Sequence, residues 1–263
     1  MCLSFCSFSS GSSGNCYLIK SETTALLVDA GISAKKIIDG LDHTGTPMDS
    51  LKGLLITHEH TDHVKGAKTF MKKAKNALMY ATEKTFEAAG FPDTLHMESV
   101  LPERDFQIGD IGIRAFRLSH DAADPVGYSF SHRGKQISVI TDTGIVYDEV
   151  LEQIIEADLL VLEANYDVDM LKIGRYPWFL KQRIAGDKGH LSNEAAGQIL
   201  LRLLSSKGKE RKVLLAHMSR ENNFPAMAYQ TVKNILEEGN YYIGKHLELS
   251  MIVRDEISGI FQT

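Results

Sequence analysis

The residues best suited to chemistry are histidines and aspartates gathered in one short stretch. In "THEHTDH", His58, His60, Asp62 and His63 directly follow the apolar run "LLI". Imidazole and carboxylate are the side chains that bind borderline divalent cations such as zinc. Alternating residues after a strand can face the same way. We therefore expect His58 and His60 to share one cation and Asp62 and His63 to reach a second.

Further candidate ligands follow other apolar runs. His120 comes after "FRLS", Asp142 after "VIT" and His217 after "VLLA". A pair of cations needs more ligands than the first cluster supplies, because each cation takes several protein ligands and keeps a position open. Any one of these residues alone could be an ordinary polar group at a strand end. Their coincidence favours a dinuclear site, and Asp142 is the candidate to bridge the two cations.

The elements that must position these residues alternate between strands and helices. "CYLIK" and "TALLVDAG" predict a hairpin, "SAKKIIDGL" predicts a helix capped by Ser33, "NEAAGQILLRLLSS" predicts an amphipathic helix, and "FQIGDIGIRAFRL" is a strand candidate. "ALLVDAG" and "SVITDTG" each precede a helix and a second apolar strand with an ionisable end. This repetition indicates a pseudo-duplicated α/β unit, and two sheets with helices outside are the simplest architecture. Because no low-complexity linker interrupts the chain, residues 1–263 are expected to form a single domain.

Composition restricts the function classes. The chain has 263 residues and a net charge of −5, so any nucleic-acid binding must be local. No stretch is long and apolar enough to span a membrane, and the N-terminus does not resemble a signal peptide, so we expect a cytoplasmic protein. Three cysteines, Cys2, Cys6 and Cys16, argue against a disulfide framework and favour buried or edge thiols.

The order of these residues resembles the motifs of the metallo-β-lactamase-fold hydrolases over essentially the whole chain. That resemblance implies an α/β fold, a four-layer αββα sandwich, with a dinuclear metal site. Asp29 in "LLVDAG" matches the first motif, whose aspartate supports the site without binding metal. More narrowly, "SSGSSGNCYLI", "THEHTDH", "DTG", "EANYD", "GHLSN" and "AHMSREN" resemble the YycJ/WalJ-like branch, bacterial proteins regarded as DNA exonucleases. The chain is also similar to ribonuclease Z and to cyclic phosphodiesterases of the superfamily.

The matched positions separate some of the chemistries of this superfamily. Asp142 argues against lactam hydrolysis, His60 argues against a redox iron centre, and thioester hydrolases of the glyoxalase II type share nearly the whole ligand set. His190 in "DKGHLSN" stands where phosphodiesterases carry a further histidine that contacts the phosphate or protonates the leaving oxygen. Ser192 or Asn193 can cap the helix that is expected to begin near Glu194.

A basic segment, residues 172–190, precedes and includes that histidine. It carries five lysines and arginines against Asp187 alone, interleaved with Tyr176, Trp178 and Phe179. Cations that hold phosphates beside aromatic faces that stack bases are typical of single-stranded nucleic-acid binding. The alternative is a loop with buried aromatics and solvated cations. The Gly/Ser loop "SSGSSGN" is either a second phosphate contact or a flexible hairpin. The residues expected to contact substrate are Ser12, Ser13, Asn15, Arg175, Trp178, Lys181, Arg183 and Ser192.

The combined expectation is a dinuclear phosphodiesterase acting on nucleic acid. A 5′-to-3′ exonuclease on DNA is favoured on family resemblance, with RNA as the other substrate. His190, Asp62 and Asp142 are the expected catalytic residues. The expected ligands are His58, His60 and His120 for one cation, Asp62, His63 and His217 for the other, and Asp142 as the bridge.

Two alternatives of other kinds stay open. One is a small-molecule hydrolase on the same fold, either a cyclic-nucleotide phosphodiesterase or a glyoxalase II-like thioesterase. The other is a metal-bearing module that recognises DNA ends. The ligand types do not choose between zinc, manganese and iron. The oligomeric state is unreadable, because apolar helix stripes serve cores and interfaces alike.

Overall fold

The computed structural model describes residues 3–92, 94–206 and 209–263. Its strands are β1 (Ser4–Ser9), β2 (Cys16–Lys20), β3 (Ala25–Val28), β4 (Leu51–Leu55), β5 (Leu78–Ala81), β6 (Met97–Ser99), β7 (Asp105–Ile108), β8 (Ile111–Arg117), β9 (Val126–His132), β10 (Lys135–Ile140), β11 (Leu159–Glu163), β12 (Arg211–Ala216), β13 (Leu247–Met251) and β14 (Phe261–Gln262). Its helices are α1 (Ala34–His43), α2 (Thr61–Val64), α3 (Ala67–Met71), α4 (Glu83–Ala89), α5 (Asp148–Ile154), α6 (Val168–Ile173), α7 (Trp178–Ala185), α8 (Asn193–Ser206) and α9 (Pro225–Glu238).

The chain divides into two compact units. The first unit comprises Met1–Arg117, Ala122–Gln136 and Val253–Thr263, and the second comprises Leu118–Asp121 and Ile137–Ile252. The expectation of a single domain over residues 1–263 stays a prediction.

In the first unit a mixed seven-stranded sheet has the order β14-β1-β2-β3-β4-β5-β6. β2 pairs antiparallel with β1 and β3, which confirms the predicted hairpin, and β3 through β6 pair in parallel. Parallel strands end at the same edge of a sheet, so the residues that follow β3 and β4 lie side by side. The polar ends of "LLVDAG" and "LLITHEH" are therefore neighbours.

Helices α1 and α3 cover an apolar core in the same unit. Ile37 of α1 and Phe70 of α3 are fully buried in one cluster with strand residues. The predicted cap of α1 is confirmed, because the Ser33 side chain accepts a hydrogen bond from the Lys36 backbone N–H. Cys6 and Cys16 are buried free thiols as expected, and burial raises the pKa of both. Cys2 lies outside the described residues.

One expected strand of the first unit is two. The run "FQIGDIGIRAFRL" contributes to β7 and β8, which pair antiparallel, and Gly109 in the turn between them has a φ of +59°. Glycine adopts that left-handed conformation without a steric penalty. The single-strand interpretation was wrong because apolar alternation continues on both sides of the turn.

In the second unit β10, β11, β12 and β13 pair in parallel in that order. β11 is buried at every residue, as expected for a strand covered on both faces. The helix predicted from "NEAAGQILLRLLSS" is confirmed as α8, and it packs against α9. Asp142, Glu163 and His217 stand at the carboxyl ends of β10, β11 and β12. In open α/β sheets this edge is where ligands bind.

Within the described residues, no helix combines the length and the apolar character that crossing a bilayer requires.

We expect Phe70→Ala to lower the free energy of unfolding by about 3–5 kcal/mol, because Phe70 is fully buried and its loss leaves a cavity. Urea titration followed by circular dichroism measures the change. Leu101→Ala is the control, since Leu101 is 58% exposed. Its expected effect is within about 0.5 kcal/mol. Equal midpoints for wild type and Phe70→Ala would contradict the core assignment.

Candidate metal centre

Asp29 organises the polar strand ends of the first unit. Its backbone N–H donates to the Leu55 carbonyl (2.8 Å), which carries the parallel ladder one residue beyond β3. Its carboxylate accepts from the backbone N–H of Thr57 (2.8 Å) and from the Thr57 hydroxyl. Asp29 has a φ of 61°, a strained conformation for a residue with a side chain. The turn is thus shaped to bring this carboxylate over the start of "THEHTDH".

The same carboxylate fixes His63. The Nδ1–H of His63 donates to Asp29 Oδ2 at 2.7 Å, and both side chains are fully buried. Burial raises the pKa of Asp29, while the adjacent His63 opposes that rise. With its proton on Nδ1, His63 keeps a lone pair on Nε2, and the Asn15 amide meets that nitrogen at 3.0 Å. This is the support that metal-binding histidines usually receive.

His58 and His60 present two nitrogens side by side. His58 Nε2 lies 3.1 Å from His60 Nδ1, and His58 Nδ1 lies 3.0 Å from the Thr57 hydroxyl. Two nitrogens bound to one tetrahedral zinc are roughly 3.3 Å apart, given Zn–N distances of ~2.0–2.1 Å. The spacing therefore fits two ligands of one cation. Glu59 points elsewhere, as expected, and accepts from the Ala123 backbone N–H (2.8 Å).

The Gly/Ser loop braces this turn. The Asn15 backbone N–H donates to the Asp62 carbonyl and Gly31 donates to the Asn15 carbonyl, both at 2.8 Å. A Cβ on Gly31 would lie 1.6 Å from the Asp62 oxygen, so only glycine fits there. Asn15 is buried, with its side chain accepting from Gly11 N–H and Tyr17 OH. The loop is therefore hydrogen-bonded in place and is not a flexible hairpin.

The other loop residues expected to contact substrate are Ser12 and Ser13. Both are exposed, and the Ser13 hydroxyl donates to Asp255 (2.9 Å). Their contact with substrate, like that of Asn15, stays a prediction.

Glu163 plays the corresponding part in the second unit. Its Oε1 accepts from His190 Nδ1–H and His217 Nδ1–H, each at 2.8 Å. Its Oε2 accepts from the backbone N–H groups of Thr143 (3.0 Å) and Leu191 (3.2 Å). One fully buried carboxylate thus fixes two imidazoles with their Nε2 atoms available.

Charge reinforces that arrangement. Burial alone would raise the pKa of Glu163, but the neighbouring His190 and His217 lower it to about 2. Burial would likewise lower the pKa of His190, but the Glu163 carboxylate raises it. The imidazolium form of His190 is thereby favoured.

Asp142 and His120 complete the second unit's cluster. Asp142 Oδ1 lies 3.5 Å from His217 Nδ1, 3.6 Å from His190 Nδ1 and 3.9 Å from His120 Nε2. His120 Nδ1–H donates to the Gly189 carbonyl (2.9 Å), and burial lowers the pKa of His120. Asp142 and His217 have φ values of 62° and 54°. Strain of this kind at ligand candidates costs on the order of 1–3 kcal/mol each.

The donor set fits a divalent cation. One side-chain atom each from Asp142, Glu163, His190 and His217 lies within 4.8 Å of all the others, and of these four residues Asp142 and His217 are the predicted ligands. Neutral imidazoles and carboxylates are the ligands that zinc, manganese and iron accept.

Glu163 is the site residue that the sequence prediction does not include. The signal for it is present, because an ionised residue ends the otherwise apolar strand "LLVLE". A buried charge without a partner would be strongly unfavourable, so its position alone requires nearby donors.

The basic segment is partly helical. Residues 172–190 include the end of α6 and all of α7, and Trp178 and Phe179 are each 72% exposed. The alternative with buried aromatics is therefore wrong for these two. Arg183 pairs with Asp121, and the Lys181 ammonium donates to the Lys172 carbonyl (2.6 Å).

The remaining residues of this region are Arg175 and Ser192. Arg175 is exposed, and its contact with substrate stays a prediction. Ser192 caps α8, as expected, by accepting from the Ala195 N–H (3.1 Å).

We expect Asp29→Asn to weaken divalent-cation binding about 10- to 100-fold, because an amide cannot hold the His63 tautomer as the carboxylate does. Zinc titration against a chromogenic chelator measures this without relying on activity. Asp39→Asn, which changes an exposed acid on α1, is the control and should bind as wild type does. An unchanged zinc affinity in Asp29→Asn would refute the role assigned to this carboxylate.

Comparison with known proteins agrees with these features. The chain is 37% identical over 255 residues to "Exodeoxyribonuclease YycJ" of Bacillus anthracis, covering 95% of each chain. It is 39% identical over 241 residues to "Exodeoxyribonuclease WalJ" of Streptococcus pneumoniae, covering 89% of this chain and 88% of the relative. The structure of the metallo-beta-lactamase fold protein YhfI from Bacillus subtilis aligns with a TM-score of 0.74 at 15% identity over 100% of both chains. That likeness confirms the predicted αββα sandwich. The family model described as "Beta-lactamase superfamily domain" matches residues 24–218, and the chain therefore belongs to the beta-lactamase superfamily of metal-dependent hydrolases.

Proposed function

We propose that this protein is a metal-dependent phosphodiesterase that degrades DNA from the 5′ end. The observation that carries the proposal is the pair formed by His190 and Glu163 next to Asp142. Cleaving a phosphodiester expels an alkoxide, a strongly basic group that needs a proton as it leaves. A thiolate, with a parent pKa of ~8.5, can leave without one. A proton carrier in the ligand cluster thus favours a phosphodiesterase over a thioesterase.

The names of the two bacterial relatives support DNA as the substrate and exonuclease action as the mode. We propose both for this chain, together with a cytoplasmic location. RNA is the competing substrate, and the experiment below compares the two.

Two cations are part of the proposal. We assign His58, His60 and His120 to one, and Asp62, His63 and His217 to the other, with Asp142 as their shared ligand. When bound, such cations lower the pKa of water and stabilise negative charge growing on phosphate oxygens. Whether they are zinc, manganese or iron is decided by supply and geometry, because these ligands accept all three.

The chain's own residues supply orientation and protons. Glu163 holds His190 Nδ1–H, so in the imidazolium form the second proton stands on Nε2. His190 donates that proton to the leaving oxygen, and the buried Glu163 carboxylate stabilises the imidazolium beforehand. Glu163 and Asp29 keep His217 and His63 in the tautomers whose Nε2 carries the lone pair.

We expect the purified protein with added manganese to shorten a 3′-labelled single-stranded DNA from its 5′ end. Asp142→Ala should abolish the ladder, since the proposed shared ligand is gone. Asp148→Ala is the matched control, because it removes an exposed acid of the same unit.

A parallel reaction with 3′-labelled RNA tests the choice of substrate. Intact DNA beside digested RNA would overturn the DNA assignment. If both stay intact while metal is bound and a small diester is hydrolysed, the small-molecule alternative replaces the nuclease.

We expect His190→Ala to slow DNA cleavage about 10²- to 10⁴-fold, the usual contribution of a general acid. Hydrolysis of bis-p-nitrophenyl phosphate should fall far less, because nitrophenolate leaves without protonation. Glu163→Gln should also slow DNA cleavage more than it slows hydrolysis of the nitrophenyl diester, by a smaller factor than His190→Ala does. Equal losses on both substrates in His190→Ala would show that His190 acts in binding or metal retention and not as the proton donor.

A further inference from the structure

The most unusual surface of the second unit lies on α7 and the end of α6. Trp178 and Phe179 are each 72% exposed and Ile173 is 86% exposed. No side chain of α7 is buried. Large aromatic side chains are normally the main contributors to a core or an interface, and an exposed cluster of them marks a binding surface. We name this surface, formed by Ile173, Trp178 and Phe179, the aromatic platform.

The charges within residues 172–190 are mostly positive, and of these Lys172 pairs with Asp169 and Arg183 with Asp121. Between residues 172 and 190, five lysines and arginines oppose a single acid, within a chain of net charge −5. Within the described part of the chain, Arg175 and Lys188 form no ion pair with another residue. Local positive charge on an acidic protein is complementary to a polyanion. A partner that bound through apolar contact alone would not need this positive charge.

The helix that carries Trp178 and Phe179 is hydrogen-bonded to the proposed proton donor at its other end. The His190 backbone N–H donates to the Ile184 carbonyl in the last turn of α7 (2.9 Å). A Cβ on Gly189 would lie 2.1 Å from that same carbonyl oxygen, so the close approach requires glycine. Gly189 in turn accepts from His120 Nδ1–H (2.9 Å). The helix that carries Trp178 and Phe179 is thus hydrogen-bonded at its far end to the ligand cluster.

Helix α7 separates Trp178 from Ile184, whose carbonyl accepts the hydrogen bond from the His190 backbone N–H. Trp178 and Ile184 are six residues apart, or about 9 Å along a helix. A short single strand of nucleic acid can span that distance.

We propose that the aromatic platform stacks the unpaired bases of single-stranded nucleic acid while Arg175, Lys181 and Lys188 hold its phosphates. This rests on the proposed function and adds how the substrate strand is recognised. Stacking uses the face of any base, so recognition does not depend on sequence, and it requires bases that are not paired.

The chain's single tryptophan makes a direct test available. On the Asp142→Ala background, which is not expected to cut DNA, a dT12 oligonucleotide is titrated while tryptophan fluorescence is recorded. Quenching that saturates with binding is the expected result. An abasic strand of the same length has the phosphates but no bases, and it should bind weakly without quenching.

Labelled-oligonucleotide anisotropy then measures affinity in the variants. Phe179→Ala and Trp178→Ala should each weaken dT12 binding roughly 5- to 150-fold, the range for loss of one stacked base. Tyr242→Ala removes another exposed aromatic of the same unit and should bind as the parent does. Lys245→Gln is the charge control for Arg175→Gln. A U12 strand distinguishes RNA from DNA.

The outcomes separate this inference from the proposed function. If dT12 binds without quenching, or if Trp178→Ala binds it equally well, the aromatic platform does not stack bases, and DNA digestion by the wild type still stands by itself. If quenching is seen but the wild type does not digest DNA, the platform stands and the nuclease proposal falls. A fluorescence response to anionic phospholipid vesicles with none to dT12 would overturn stacking in favour of a membrane-facing surface.

Discussion

The arrangement depends on one kind of interaction, a hydrogen bond from an imidazole Nδ1–H to a buried carboxylate at a strand end. Asp29 accepts it from His63, and Glu163 accepts it from His190 and His217. Each bond chooses the tautomer, and the choice of tautomer leaves Nε2 as the atom that can bind a cation or carry a proton. Without these carboxylates the three imidazoles would lose the acceptor that holds the proton on Nδ1.

The repetition seen in the sequence has a physical counterpart in each unit. Asp29 and Asp142, at the same place in "VDAG" and "TDTG", have φ values of 61° and 62°. The glycine two residues later lies against backbone in both units, Gly31 against Asp62 and Gly144 against Gly186. A strained aspartate followed by a glycine turns the chain sharply at the end of a parallel strand. Both units use this turn to bring a carboxylate to the edge where polar side chains collect.

Much of this was predictable from the sequence because the signals are local. Apolar runs predict the strands, and parallel pairing brings their polar ends together. Glu163 was missed because its role depends on two histidines distant in sequence. The helix α7 was missed because none of its side chains is buried, so no apolar stripe marks it. The helix α9 was not assigned although Ala228, Val232 and Leu236 are buried at helical spacing. Its first residue, Pro225, reads equally as the end of a loop.

The strand-end turns cost stability, and this cost affects the lifetime of the protein in the cell. Three site residues in the left-handed region (Asp29, Asp142 and His217) and three buried carboxylates (Asp29, Asp142 and Glu163) are features that a more stable protein would lack. A cation that binds the folded chain and not the unfolded one returns stability that grows with the logarithm of its concentration once that exceeds the dissociation constant. Proteases sample the unfolded population, so a fall in available metal would shorten the lifetime of the chain. The cellular amount of the protein would then follow metal supply without any dedicated regulator.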